Sequence, residues 1–173
     1  MVFRLVPLVL LVFLIAPAAQ PDPARPQSNQ ANRSQHVKNG VDHFNRAFYE
    51  LTPRKRDVEA TRAFDLAIVE FEAELRASPG SVDAHRYLGR IYTLRKQFTR
   101  AARHYDEMCA LVPGDVDACV LAAVAYAEAG QRAEARDRLL AAKARTTDPE
   151  ALAKLDQYLS KLDRHEPGDE RGR

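Results

Sequence analysis

The sequence predicts an all-α chain built as a stack of antiparallel helix pairs, and three observations predict it. Pro79-Gly80-Ser81-Val82-Asp83-Ala84 recurs 34 residues on as Pro113-Gly114-Asp115-Val116-Asp117-Ala118. The same offset of 34 links Leu88 to Ala122, Tyr92 to Tyr126, Ala101 to Ala135 and Tyr105 to Leu139, and backwards Ala101 to Ala67 and Tyr105 to Phe71. Between the repeated turns, apolar residues return at helical spacing. A repeat of this length is one supersecondary unit that cannot bury its hydrophobic face alone, so its copies must stack.

Composition agrees. Of 173 residues, 46% are hydrophobic, only 8% are aromatic and none is Trp. The core is therefore expected to rest on Ala, Leu and Val, which suits close helix packing. Basic and acidic side chains number 26 and 24, a net charge of +2. Nucleic-acid binders concentrate far more positive charge, so the balance argues against that class.

The chain opens as an export signal. Arg4 supplies a positive start, Leu5 to Ile15 is apolar except for Pro7, and Ala16-Pro17-Ala18 has the small-residue pattern of a cleavage site. Cleavage is expected after Ala18. The alternative is an uncleaved membrane anchor, but a bilayer span needs about 20 apolar residues and this run is shorter. No Cys lies near the cut, which argues against a lipid-anchored product. Residues 19–34 carry Pro21, Pro23 and Pro26 among polar side chains and read as a disordered linker.

The helical body is expected over 35–164, with repeats at about 35–81, 82–115 and 116–149 and a cap at 149–164. In the first repeat, Gln35 to Glu50 has one apolar stripe of Val37, Val41, Phe44 and Phe48. Val58 to Ala77 has another, through Phe64, Ala67, Ile68, Phe71 and Leu75. The loop Leu51 to Asp57 between them, with the lengthened helix after it, makes this repeat about 15 residues too long, read as an insertion at its internal turn. Ser81 and Asp115 are expected to cap the first helices of the next two repeats, and Thr99 the second helix of repeat two. Gly130 breaks the chain before the last repeat's second helix. Asp148 and Pro149 then start a seventh helix, with Leu152, Leu155, Leu159 and Leu162 on one side and charges elsewhere. Residues 165–173 are charged and glycine-rich and read as a frayed tail.

Leu88-Gly89-x-x-Tyr92, Ala67-x-x-x-Phe71, Ala101-x-x-x-Tyr105 and the closing prolines Pro79 and Pro113, at a period of 34, resemble the tetratricopeptide-repeat family. The likeness spans roughly 35–163. It implies a right-handed superhelical solenoid of about three repeats plus a capping helix. Gly89, Ala123, Ala101 and Ala135 take the close-contact positions, and Tyr92 and Tyr126 the bulky ones. The chain departs from the pattern at His85 and Cys119, which stand where the family has Trp, and at Glu74 and Met108, where it has a small residue.

The resemblance also implies a function, non-catalytic binding of a protein or peptide in a concave groove lined by the first helices. Carried onto this sequence, the groove residues are Asp83, Arg86, Arg90 and Thr93 in repeat two, and Asp117, Val120, Val124 and Ala127 in repeat three. Repeat one contributes Val37, Val41, Phe44 and Asn45. Arg86 and Arg90 share a helix face and repel each other mildly; an acidic partner would relieve this, though a solvated surface pair is an equal reading. The Lys and Asn arrangement by which the family grips a terminal carboxylate is absent.

Other chemistry finds little support. Cys109 and Cys119 flank the Pro113-Gly114 turn. In an exported chain they read either as a disulfide or as two buried small hydrophobes. His36 and His43 can share a face, His85 is expected in the core, and His104 and His165 on the surface. No Cys/His spacing suits a metal, and no phosphate loop or hydrolase motif is present, so neither a cofactor nor a catalytic residue is expected. The basic run Arg95 to Arg100, with Arg103, is the strongest positive patch, is expected near Arg54-Lys55-Arg56, and is the candidate surface for an anionic lipid or nucleic acid. Membrane contact otherwise requires the N-terminal segment to be retained. The expected location is periplasmic or secreted. The competing reading is a membrane-anchored, non-catalytic subunit or assembly factor of an envelope complex.

Overall fold

The computed structural model describes residues 27–164, with side chains from Gln35 onward. The expected signal segment 1–18, the first part of the linker, the tail 165–173 and His165 lie outside the described residues. Seven α-helices run in order: α1 (Gln27–Asn45), continued by a π-helical turn (Arg46–Leu51), α2 (Asp57–Ala77), α3 (Val82–Leu94), α4 (Phe98–Leu111), α5 (Val116–Glu128), α6 (Arg132–Lys143) and α7 (Pro149–Arg164). There is no strand among the described residues, and none of their helices is long and apolar enough to cross a membrane. The fold is an all-α solenoid. Each helix packs on its successor, while α1 also meets α3 and α5 meets α7 on the side where first helices face one another.

The 34-residue pattern works because it alternates close contact with bulk. Ala67, Ala101 and Ala135 are all buried, as are Phe71, Tyr105 and Leu139 one helical turn later. Gly89 lets the Tyr105 ring lie against the α3 backbone: a Cβ there would stand 2.5 Å from the ring. Gly40 does the same for Phe71 at 2.7 Å. Gly40 is thus the first-repeat counterpart of Gly89, 49 residues upstream rather than 34. Phe44, Phe71, Leu88, Ile91 and Leu155 are fully buried, each worth about 1.5–3 kcal/mol.

That register shows where the extra length goes. From Gly40 to the end of the π-helical turn is eleven residues, against five from Gly89 to Leu94. From the start of α2 to Ala67 is ten, against three from Phe98 to Ala101. The insertion expected at the turn is therefore built mainly as nearly two more helical turns on each arm, and the connection 52–56 is only two residues longer than 95–97. The π-helical turn keeps Phe44, Ala47 and Leu51 on the buried side. Thr52 closes it, donating from both its amide (3.0 Å) and its hydroxyl (2.8 Å) to the Ala47 carbonyl. At the other end α1 starts at Gln27, eight residues before the expected boundary at 35, so the helix takes in part of the segment read as linker.

Capping differs from expectation in two places. Asp115 accepts from the Ala118 amide at 3.1 Å, and Asp148 accepts from Glu150 and Ala151 at 3.3 Å. Ser81 stands at the N-cap of α3, but its side chain makes no capping hydrogen bond. Thr99 lies inside α4, whose N-cap is Gln97. Each intra-pair turn places one residue in the left-handed region: Lys55 (φ 55°), Lys96 (φ 56°) and Gly130 (φ 78°). α7 is seated like the first helix of a further repeat, with Leu155 buried 33 residues after the buried Ala122.

Candidate functional site

The wall formed by the first helices is where the groove residues were expected, and the structure sorts them. Asp83 accepts from Arg86 Nη1 at 2.6 Å, so this arginine is already partnered. Arg90 is different. Its guanidinium carbon lies 4.8 Å from the centroid of Phe44 on α1 and 5.8 Å from that of Tyr87, and it has no carboxylate partner among the described residues. A cation–π contact uses the charge of the guanidinium without consuming its N–H donors, which stay available to a partner. Phe71 stacks on Tyr87 at 5.0 Å and Phe44 meets Tyr87 edge-on at 5.1 Å, so the platform is rigid. Beside it Thr93 donates to the Gly89 carbonyl at 2.9 Å and stands 3.4 Å from the Tyr105 hydroxyl. Burial pushes the Tyr105 hydroxyl up, opposed by Thr93 and by the charge of Arg90.

Two of the other expected wall positions are buried rather than lining a groove. Phe44 is fully buried beneath Arg90, and Val120 is 4% exposed and fills the stack. Asp117 is tied to Lys154 of α7. Val124 is exposed, Ala127, Val37 and Val41 are half-buried, and Asn45 is exposed. Where α5, α6 and α7 meet, Val124 and Ala127 border a cleft of about 380 Å³ that is also lined by Ala123, Ala135, Leu139, Tyr158 and Leu162.

On the opposite side, α2, α3 and α4 enclose a crevice of about 560 Å³ that the sequence did not reveal. His85 is buried, its Nε2 3.0 Å from the Pro79 carbonyl and its Nδ1 3.1 Å from Nδ1 of His104. A carbonyl only accepts, so His85 carries its proton on Nε2 and its Nδ1 must accept. His104 therefore donates from Nδ1. His104, expected on the surface, is half-buried, and burial first, then His85, lowers its pKa to about 4. Tyr92 stacks on His104 at 5.5 Å, with Arg100 over the Tyr92 ring at 5.6 Å; burial foremost raises the Tyr92 hydroxyl. One repeat on, the corresponding positions hold Tyr126, which donates to Asp106 at 2.7 Å, and Arg138, which pairs with the same carboxylate at 2.9 Å. Part of the basic surface is likewise engaged: Arg95 donates to the Thr61 carbonyl and to Asp65 of α2, and Arg56 pairs with Glu59. His36 does not pair with His43 but with Glu70 of α2 at 2.5 Å.

Cys109 and Cys119 are buried and joined, Sγ–Sγ 2.06 Å and Cα–Cα 4.8 Å. They link the end of α4 to the start of α5. At the preceding junction the same positions hold Leu75 and His85. No group of three or more His, Cys, Asp or Glu that could hold a metal occurs among the described residues.

Residues 93–162 match the family model of the tetratricopeptide repeat. No curated protein sequence matches the chain. Among solved structures it is similar to the N-terminal domain of stress-induced protein-1 from C. elegans, with 12% identity and a TM-score of 0.50 over 74% of this chain and 97% of that one. That likeness concerns fold alone. A MamA point mutant (15% identity, TM-score 0.43, 79% of this chain and 91% of that chain) is a more distant match. So is a MamA RS-1 double mutant (16%, 0.42, 83% and 98%).

Proposed function

We propose that this chain is an exported, non-catalytic tetratricopeptide-repeat module that binds a peptide or subunit partner along the wall of its first helices. The repeat fold supports the general class, a protein–protein interaction module. The observation that carries the finer reading is Arg90, its guanidinium over the Phe44 and Tyr87 rings and without a carboxylate partner among the described residues, between apolar wall positions on either side (Val37 and Val41; Val124 and Ala127). The wall is apolar, cationic and apolar in turn. It suits a segment with an acidic centre and apolar flanks, in helix-in-groove or extended form.

Export is supported by the Arg4 to Ala18 pattern and by the Cys109–Cys119 bond, since disulfides persist in oxidising compartments. The test compares proteins captured from envelope extract by the wild type, by Arg86→Glu/Arg90→Glu and by Arg103→Glu on the far side. The wall variant is expected to lose a partner that the other two keep. Retention of every partner by all three overturns the assignment. The second reading, a membrane-held assembly factor, rests on the same apolar Leu5–Ile15 segment and is distinguished by fractionation: it predicts the chain in membranes after a high-salt wash.

A further inference from the structure

Repeats one and two share one packing device, and the third is built differently. In repeats one and two an aromatic ring of the second helix lies against a glycine of the first: Phe71 on Gly40 and Tyr105 on Gly89. In repeat two the ring reaches on to Thr93, 3.4 Å from its hydroxyl. In repeat three the ring becomes Leu139, the glycine becomes Ala123, and Thr93 becomes Ala127. These three residues all line the cleft of about 380 Å³ between α5, α6 and α7. Leu139 and Ala123 together form a shorter, blunter pair than a ring on a glycine. The wall above them is open, with Val124 39% exposed and Tyr158 and Leu162 only half-covered.

We propose that this cleft receives an aromatic side chain of the bound peptide, which takes up in repeat three the role that Tyr105 plays internally in repeat two. The proposal deepens the groove reading above and rests on it. The cleft borders the same wall, since Val124 and Ala127 belong to both. Its rim adds charge. Lys161 lies 5.1 Å from the Tyr158 ring and has no carboxylate partner among the described residues, and Arg132, whose guanidinium donates to the Leu162 carbonyl, stands beside it. Glu128 is the one acidic residue of the lining, so the rim carries a net positive charge that favours an acidic residue next to the aromatic one. A partner strand with an aromatic anchor at the α5–α7 end and a carboxylate over Arg90 would occupy both features at once.

The test is methyl NMR of the full chain titrated with two blocked peptides, Glu-Phe-Glu and Glu-Ala-Glu. The phenylalanine peptide is expected to shift the methyls of Val124, Leu139 and Leu162 saturably, and the alanine peptide to bind at least about tenfold more weakly, the effect of burying one ring. Ala123→Gly/Leu139→Phe rebuilds the ring-on-glycine pair and fills the cleft from within. It should abolish these shifts while leaving the helical signal intact. Ala127→Leu, which blocks the mouth from the wall, should do the same if the double variant does not fold. Equal binding of both peptides, or undiminished binding by the filled or blocked variant, overturns the proposal. So do shifts of the same methyls with protein concentration alone, which would mean that a second copy covers the cleft. Any of these results, with partner capture still lost in the Arg86→Glu/Arg90→Glu variant, removes the aromatic anchor and leaves the groove reading standing.

Discussion

Reduction of the Cys109–Cys119 bond is the perturbation whose consequence follows most directly from the structure. The two cysteines are ten residues apart in sequence and close the only covalent loop across the junction of repeats two and three among the described residues. Treating the bond as a constraint on the unfolded chain, a loop of about ten residues contributes about 2.7 kcal/mol at 25 °C. A helical domain of this size has a urea slope of roughly 1–3 kcal/mol/M, so full reduction should lower the unfolding midpoint by roughly 1–2.5 M. The bond also fastens one repeat to the next, and cooperativity in such arrays comes from the interfaces between neighbours. The reduced transition should therefore be broader as well as earlier. The assay is urea unfolding followed by far-UV circular dichroism, with and without reductant, after free thiols are counted in denaturant. Two thiols per chain without reductant would refute the pairing. An unchanged midpoint with two thiols after reductant would refute the stabilisation.

Four other outcomes are expected. Gly89→Ala puts a Cβ 2.5 Å from the Tyr105 ring and should cost about 1–3 kcal/mol in urea unfolding, whereas Gly114→Ala meets nothing within 4 Å and should be neutral or up to about 1 kcal/mol stabilising. Lys96→Gly relieves a left-handed residue at the turn before α4 and should raise the free energy of urea unfolding by about 0.5–1 kcal/mol, the strain of a side chain there less the flexibility glycine adds to the unfolded chain. His104 has a folded pKa lowered from 6.5 to about 4, so the unfolded chain takes up its proton first. Its contribution is complete above about pH 6.5 and is lost as pH falls towards 4; His104→Gln, which keeps a neutral donor for His85, should flatten that part of the stability profile relative to wild type. Finally, N-terminal sequencing of chain recovered from the exported fraction should begin at Ala19, whereas an N-terminus retaining Arg4 supports the anchor.

The sequence by itself determined the period, the antiparallel pairing and the small-against-large core of repeats two and three. Those are properties of residues 34 apart meeting equivalent surroundings, as Ala101 and Ala135 or Tyr92 and Tyr126 do. The wall positions came from the family resemblance, and two of them, Phe44 and Val120, are buried instead. Tertiary structure decided the rest. The register of repeat one needed the contact between Gly40 and Phe71, which no local pattern reveals when 15 residues intervene. The side chains of the wall were sorted by what stands opposite each: Asp83 quiets Arg86, Phe44 supports Arg90, and Val120 turns inward. His104 became a half-buried donor to His85, 19 residues away. A periodic sequence specifies which face of a helix is covered, but pairing and charge at a given atom depend on the neighbour across the gap, and that neighbour comes from another part of the chain.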